Sequence, residues 1–194
     1  MIRIYPLIFI LLWSSAFITT KPIVDNSDPF AALAFRFFFV ALGFYLFSFY
    51  LNQSLITNKR KIAESVLSGV LFHGFYLGGV FYSISIGMPV GIAALIVTLQ
   101  PVLTNILSGP ILDEKITTQQ WIGVLLGFTG ASLVLGLDIG SGIPLLGLIA
   151  TIIALLSITI STIWQKKISK NLSLSVSNFY QASGGCLFHV LIVI

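Results

Sequence analysis

The chain has 194 residues, of which 57% are hydrophobic and only 8% are charged, and its formal net charge is +4. Soluble domains carry about 25% charged residues, so this composition leaves too little polar surface for a water-soluble globule of this size. The basic excess does not indicate nucleic-acid binding, because the basic residues lie in short segments beside apolar blocks.

These apolar blocks predict helices that span a membrane. A span needs about 20 apolar residues, and the 48 uncharged residues between Glu64 and Asp113 are too many for one crossing. We expect Gly87-Met88-Pro89 to divide them into two helices joined by a tight hairpin. Strands of a membrane barrel are disfavoured, since they alternate polar and apolar residues over about 10 positions. The seven predicted spans cover residues 4–20, 29–51, 66–87, 89–112, 121–137, 143–165 and from about 176 to the last residue.

The basic residues fall in alternate gaps between these spans. Eight of the ten Lys and Arg residues occupy one set of gaps, whereas the opposite set holds only Lys21. Cytoplasmic loops carry an excess of Lys and Arg, so we expect a multi-pass protein of the cell membrane, plasma or inner, with a cytoplasmic N-terminus. The eight residues are Arg3, Lys59, Arg60, Lys61, Lys115, Lys166, Lys167 and Lys170.

Arg36 is the one full charge inside a predicted span. A charge in the bilayer interior costs at least about 2.5–3.5 kcal/mol, so a carboxylate, backbone carbonyls or a wet cavity must compensate it. We interpret Arg36 either as a residue that recognises a substrate or carboxylate, or as a side chain that snorkels outward or ties the second span to a neighbour.

Polar side chains recur along the third span at helical spacing. This stripe either lines a cavity or forms hydrogen bonds to a neighbouring helix, each worth about 0.6 kcal/mol. One member, a histidine, is a candidate proton carrier. The stripe comprises His73, Tyr76, Val80, Ser83 and Gly87.

The fourth span has a proline near its midpoint. Pro101 lacks an amide donor and frees the carbonyl of Val97. Broken helices at mid-membrane are where transporters place their sites, but the alternative is a passive kink satisfied by Thr98 or a neighbouring helix. The polar residues around the proline are Gln100, Thr104, Asn105 and Ser108.

Two further spans carry unusual residues. Trp13 lies at the middle of the first span, beside Ser14, whereas tryptophan usually lies at the membrane interface. Its indole either packs in the core or stacks on a ligand. In the fifth span Gly123 and Gly127 form a Gly-x-x-x-Gly motif, which lets helix backbones approach closely. We interpret this face as a packing surface or a homodimer surface.

The sequence contains no catalytic constellation. It has no His-Glu-x-x-His, no Gly-x-Ser-x-Gly and no pair of carboxylates within the spans, so we expect no enzymatic activity. We also expect no cofactor, no metal ion and no nucleic-acid partner, and we expect the lipid bilayer and a small-molecule solute as partners. The single cysteine, Cys186, excludes an internal disulfide.

Several motifs are more specific than this hydropathy pattern. The first span contains Leu11-Leu12-Trp13-Ser14-Ser15-Ala16-Phe17, and the second begins with Pro29 and continues through Ala34-Phe35-Arg36-Phe37. Residues 89–136 include Gln100-Pro101-Val102, Leu112-Asp113-Glu114-Lys115-Ile116-Thr117 and Gly127-Phe128-Thr129-Gly130. Together these segments resemble the drug/metabolite transporter superfamily, EamA type. Asp113 stands where that family commonly has glycine.

The resemblance implies an all-α integral membrane protein, a multi-span helical bundle of ten spans built as two inverted five-helix repeats. Residues 1–137 would form the first repeat and residues 143–194 the start of the second. Seven spans of the expected ten would then be present, and we expect a truncated product or partial gene. The implied substrate pathway consists of Trp13, Ser14, Arg36, His73, Tyr76, Gln100, Pro101 and Thr104, with Glu114 as a cap or gate contact at the inner end of span four.

Three functions remain open at this point. The resemblance implies a secondary active transporter, an exporter of small metabolites such as amino acids or related solutes, that works by alternating access. The alternative is a non-transporting scaffold or half-transporter that needs a partner chain. A seven-span receptor is disfavoured by the expected cytoplasmic N-terminus and by the absence of a lysine in the seventh span that would carry retinal.

Overall fold

The computed structural model describes residues 4–55, 58–112, 117–135, 142–168 and 173–194. Within these ranges the chain forms seven successive helical rods, and no strand is found there. We number the rods α1 to α7, and the fourth is divided into two segments. They are α1 (Ile4–Asn26), α2 (Pro29–Tyr50), α3 (Lys59–Ser85), α4 (Val90–Val97 and Gln100–Leu112), α5 (Thr118–Leu135), α6 (Leu145–Ile168) and α7 (Leu174–Val193).

The rods correspond one to one with the predicted spans. In the described part of the chain, α1, α2, α3, α4 and α6 are long and apolar enough to cross a membrane, while α5 and α7 have 18 and 20 residues. The predicted all-α, multi-span helical bundle is therefore confirmed, and the protein is a multi-pass membrane protein. The division at residues 137 and 143 into two inverted repeats stays a prediction.

The third helix begins earlier than predicted, at Lys59 instead of residue 66. Lys59, Arg60 and Lys61 therefore form its first turn and do not lie in a loop. Cations at a helix N-terminus oppose the helix macrodipole, and two neighbours offset that cost. The Asn58 side chain accepts a hydrogen bond from the Arg60 amide at 2.9 Å, and Arg60 Nε lies 2.9 Å from a carboxylate oxygen of Glu64.

The first helix ends later than predicted, at Asn26 instead of residue 20. Its last turns are stabilised by side chains that satisfy terminal carbonyl groups. Asn26 Nδ2 donates to the carbonyl of Pro22 at 2.8 Å, and Ser27 Oγ donates to the carbonyl of Ile23 at 2.7 Å. This polar extension also carries the Lys21 side chain, so the only cation of that gap lies on a helix.

The predicted hairpin between α3 and α4 is present and has a defined form. Gly87 has a φ of +98°, which favours glycine. Its amide donates to the carbonyl of Ile84 at 3.1 Å, and the Met88 amide donates to the carbonyl of Ser83 at 3.0 Å. This pair of bonds is a Schellman motif, and Pro89 then stands immediately before α4.

Helices α3 and α6 form the centre of the bundle, because half of each apolar span is buried, against about a tenth or less of α1, α2 and α4. Hydroxyl groups join the two central helices. Ser161 Oγ lies 3.2 Å from Ser68 Oγ and donates to the Ser68 carbonyl at 3.1 Å. Gln165 Nε2 adds a bond of 3.2 Å to Ser161 Oγ. The bonds between Ser68 and Ser161 are interhelical, and bonds of that kind stabilise membrane bundles by about 0.6 kcal/mol each.

Glycines permit a close crossing of α3 and α7. A Cβ added at Gly69 would lie 2.0 Å from the carbonyl oxygen of Gln181, and one added at Gly185 would lie 2.4 Å from the Cβ of His73. By contrast, a Cβ at Gly123 or at Gly127 would meet nothing within 4 Å of the described atoms. No helix of the described chain packs closely against these two glycines, and the homodimer surface stays a prediction.

The basic start of α3 and the basic end of α6 lie at the same end of the bundle. Trp164 Nε1 donates to the carbonyl of Glu64 at 3.3 Å, which places the end of α6 beside the start of α3. Ser173, before α7, donates to Gln53, after α2, at 2.7 Å. This end therefore carries the basic residues of α3 and α6, whereas Arg3, Lys115 and Lys170 lie outside the described residues. The basic residues of the two helices are Lys59, Arg60, Lys61, Lys166 and Lys167.

Candidate functional site

A cavity of about 230 Å³ opens between α1, α2 and the middle of α3. This volume is below the roughly 300–1,000 Å³ of drug-sized pockets, so the cavity fits a small solute. Its walls are mainly aromatic and aliphatic side chains. Four residues of the predicted pathway line it: Trp13, Arg36, His73 and Tyr76.

Arg36 lies in this cavity as an exposed side chain of α2. Its guanidinium carbon is 5.7 Å from the ring centroid of Phe37, within the range of a cation–π contact. Among the residues that the structure describes, none forms a salt bridge with it. Compensation of Arg36 by a carboxylate, one of the alternatives considered, is therefore not found in the described chain.

The middle of α3 is a π-helix from Val70–Leu77, so the α-helical spacing used to predict a continuous polar stripe does not hold there. Helices of this kind occur frequently at functional sites. His73 and Tyr76 lie in the π-helical segment and line the cavity. Ser83 follows it, is buried, and donates to the carbonyl of Val80 at 2.8 Å. The predicted stripe is thus divided, and Ser83 does not line the cavity.

The two histidines, which are far apart in sequence, meet behind the cavity. His189 of α7 is fully buried, and its Nε2 lies 2.9 Å from the carbonyl oxygen of His73. A carbonyl only accepts hydrogen bonds, so His189 Nε2 carries the proton and donates. In the described part of the chain, Nδ1 of each histidine is buried without a hydrogen-bond partner. The His73 ring also packs on Phe37, with centroids 4.4 Å apart.

A second polar cluster lies away from the cavity, between α4 and α6. Gln100 Nε2 donates to Thr104 Oγ1 at 3.0 Å and approaches Thr162 Oγ1 at 3.3 Å. Gln100 and Thr104 were predicted to share one pathway with Trp13, but neither lines its cavity. The reason is that α4 packs along α6, so their side chains bond to that helix or to each other. Thr162 of α6 was not among the predicted site residues.

Pro101 follows a real break in α4. The helix is interrupted at residues 98–99, where the Leu99 amide donates to the carbonyl of Ile96 at 3.1 Å, a 3₁₀-type bond. The Thr98 hydroxyl donates to Ala94 at 2.8 Å, so it does not satisfy the carbonyl of Val97. The predicted break is therefore present, and Pro101 also lines an open groove between α4 and α5.

Ser14 and Glu114 are the remaining predicted site residues. Ser14 is exposed on α1 and does not line the cavity. Glu114 lies outside the described residues. In the described ranges no three His, Cys, Asp or Glu side chains lie together as metal ligands would.

Part of the cavity wall was not predicted from the sequence. Phe72 and Thr20 line it, and Thr20 is buried, with its hydroxyl bonded to the carbonyl of Ala16 at 2.8 Å. An isolated phenylalanine or threonine in an apolar span gives no signal in one sequence. Phe72 directly precedes His73, and both residues line the cavity because they lie in the π-helical segment.

Comparisons with known proteins find a family match and several relatives. The EamA-like transporter family matches residues 3–136. An "Uncharacterized transporter YvbV" of Bacillus subtilis is 28% identical over 106 residues, which are 55% of this chain and 33% of the relative. The "Probable amino-acid metabolite efflux pump" of Escherichia coli is 25% identical over 84% of this chain and 52% of the relative. That of Salmonella typhimurium is 24% identical over 85% and 53%.

The chain thus spans about half the length, or less, of the curated relatives that it matches. The family match itself covers well over half of the chain and includes the helices that line the cavity, α1 to α3. The chain belongs to the EamA-like transporter family.

Proposed function

We propose that this protein is a secondary active transporter that exports small metabolites, such as amino acids or related solutes, by alternating access. The observation that carries the proposal is an arginine, Arg36, that opens into a small cavity from an otherwise apolar helix. The family membership supports transport, and the efflux-pump names of two relatives support export.

The position of Arg36 along α2 supports the proposal. Arg36 lies seven residues after Pro29, the first residue of α2, which is roughly 10 Å along a helix that rises 1.5 Å per residue. A solute that enters the cavity would meet this charge below the membrane surface. The broken helix α4 supports the alternating-access part of the proposal, since discontinuous helices accompany such sites in other transporters.

Replacing Arg36 with glutamine is expected to reduce export at least about tenfold, because a charge-assisted hydrogen bond contributes about 1.5–3 kcal/mol. The measurement is loss of radiolabelled amino acids and their derivatives from preloaded cells that express the protein. Arg60→Gln is the matched control, since Arg60 lies on the first turn of α3, outside the cavity. Equal efflux by both variants would contradict the proposal.

We further propose that the basic end of the bundle faces the cytoplasm, with the N-terminus on that side. The excess of Lys and Arg at this end supports the orientation. Lys59 is the natural probe, because it is exposed at the start of α3. A membrane-impermeant amine reagent should label it only after cells are opened, and labelling of intact cells would reverse the orientation.

The half-transporter remains the alternative function, with a copy of the chain paired through the face of Gly123 and Gly127. One observation favours it: both glycines line the open groove between α4 and α5, and no described atom covers them. Chemical crosslinking in membranes separates the two functions. A stable dimer that is required for flux would favour the alternative, whereas flux from monomers would remove it.

A further inference from the structure

We infer that the cavity lined by Arg36 selects carboxylates that have an apolar body and no free ammonium group. The inference rests on the proposed transport function and narrows its substrates to solutes related to amino acids, excluding free amino acids themselves. Aryl or branched alkyl monocarboxylates and N-acylated amino acids belong to this class, whereas free zwitterionic amino acids and amines do not.

The anionic part of the class follows from the charge of Arg36. Each Asp and Glu side chain of the described chain is engaged elsewhere. Asp25 pairs with Lys21, Asp28 accepts the amides of the first turn of α2, and Glu64 pairs with Arg60. The guanidinium thus opens into the cavity without a described counter-ion, and its planar donors match a carboxylate in a two-point hydrogen bond.

The apolar part of the class follows from the cavity wall. Trp13 of α1 and Phe72 and Tyr76 of α3 line it together with Phe37 of α2. The rings of Phe72 and Tyr76 meet edge to face, with centroids 5.5 Å apart, so this part of the wall is pre-formed. Aromatic walls of this kind gain most from an apolar or aromatic solute body.

Two features of the cavity, the lack of an acidic residue in its described lining and the presence of Arg36, disfavour a solute with an ammonium group. No Asp or Glu is among the described lining residues. Aromatic faces attract cations, but a second positive charge within the same small cavity would be repelled by Arg36. Burying an unpaired ammonium group is costly. A neutral amide, in contrast, carries no charge for Arg36 to repel.

The test compares four ligands that share one phenyl body: 3-phenylpropionate, N-acetylphenylalanine, phenylalanine and 2-phenylethylamine. Binding to the purified protein in nanodiscs is measured by calorimetry. We expect both monoanions to bind at least 30-fold more tightly than phenylalanine, which is about 2 kcal/mol at 1.4 kcal/mol per factor of ten. The amine should bind most weakly. Equal affinity for phenylalanine and 3-phenylpropionate would overturn the inference.

Two variants test whether the guanidinium of Arg36 causes the tighter binding of the monoanions. Arg36→Gln should weaken the binding of both monoanions at least 30-fold and leave the binding of the amine unchanged or tighter. Arg36→Lys should lose a smaller part of the affinity for the monoanions. Because this side chain is exposed, both variants should fold, and size-exclusion profiles verify that. Monoanion binding that survives Arg36→Gln in folded protein would overturn the inference.

Lipid competition and flux are measured in two further arms. Nanodiscs of phosphatidylcholine and of phosphatidylglycerol should give equal affinities, and binding that is suppressed by phosphatidylglycerol would identify a lipid headgroup as the occupant and overturn the inference. Flux is measured in proteoliposomes. Selective binding without flux would contradict only the proposed transport function, whereas flux of phenylalanine with equal affinity for both ligands would contradict only the substrate class.

Discussion

Replacing Gly69 with alanine is expected to destabilise the folded protein by about 3 kcal/mol, in the upper part of the range for overpacked sites. The new Cβ would lie 2.0 Å from the carbonyl oxygen of Gln181 and 2.5 Å from its Cα. These are backbone atoms, so no side-chain rotation can relieve the clash. Helices α3 and α7 would have to separate, and the bond between His189 and the carbonyl of His73 would lengthen with them.

The measurement is thermal unfolding of the detergent-solubilised protein, with Gly43→Ala as the matched control. Gly43 lies within α2, and an added Cβ there meets no described atom within 4 Å. Alanine is the better helix former by about 1 kcal/mol, so the control should be neutral or slightly stabilising. Equal unfolding temperatures for the two variants would show that α3 and α7 do not cross closely.

Replacing His189 with methionine is expected to destabilise the π-helical segment of α3. Methionine has no donor, so the carbonyl of His73 would lose the bond of 2.9 Å that it accepts. A buried carbonyl left unpaired costs about 1–3 kcal/mol, and the bilayer interior offers no water to replace the donor. His73 and Tyr76 would lose their fixed positions in the cavity wall.

Glutamine at the same position is the matched control, because it has nearly the shape of methionine and retains a side-chain donor. We expect it to recover part of the lost stability. Hydrogen exchange of the amides in Val70–Leu77 provides the local readout, and exchange should be faster in the methionine variant than in the glutamine variant. Identical exchange in both would show that the hydrogen bond does not support this segment.

Much of the fold could be predicted because bilayer thickness fixes the length of an apolar helix. The break at Gly87-Met88-Pro89 was predictable for a local reason, since a glycine with positive φ and a proline dictate that geometry without help from the rest of the chain. The start of α3 was not, because three basic residues resemble a loop. Their place in the helix depends on the Asn58 cap and the Arg60–Glu64 pair.

The site could be predicted only in part, because hydropathy does not encode which helices are neighbours. Trp13 and Arg36 were identified as polar or oversized groups at unusual depth, and the cavity contains both. Gln100 has the same chemical signal but lies beside Thr162 of α6. The hydrogen bond between His189 and the carbonyl of His73 joins positions 116 residues apart, and no local sequence pattern predicts it.

The glycine motifs show the same limit. Gly123 and Gly127 match a familiar spacing of four, whereas the glycines of α3 that approach α7 are Gly69, Gly74 and Gly78. Their first interval is five residues, and a straight α-helix would turn those two positions away from each other. The π-helical turn restores the common face, so this packing surface follows from a backbone irregularity that the sequence pattern does not reveal.

The hairpin at Gly87 also constrains how the bundle can move. Only residues 86–89 separate α3 from α4, and they are held by two backbone hydrogen bonds and a proline ring. The first eight residues of α4, Val90–Val97, are therefore anchored to the tip of α3 and cannot slide past it. We expect α4 to bend at residues 98–99, with Gln100–Leu112 moving either together with α6 or after its contacts with α6, such as the bond from Gln100 to Thr162, are released.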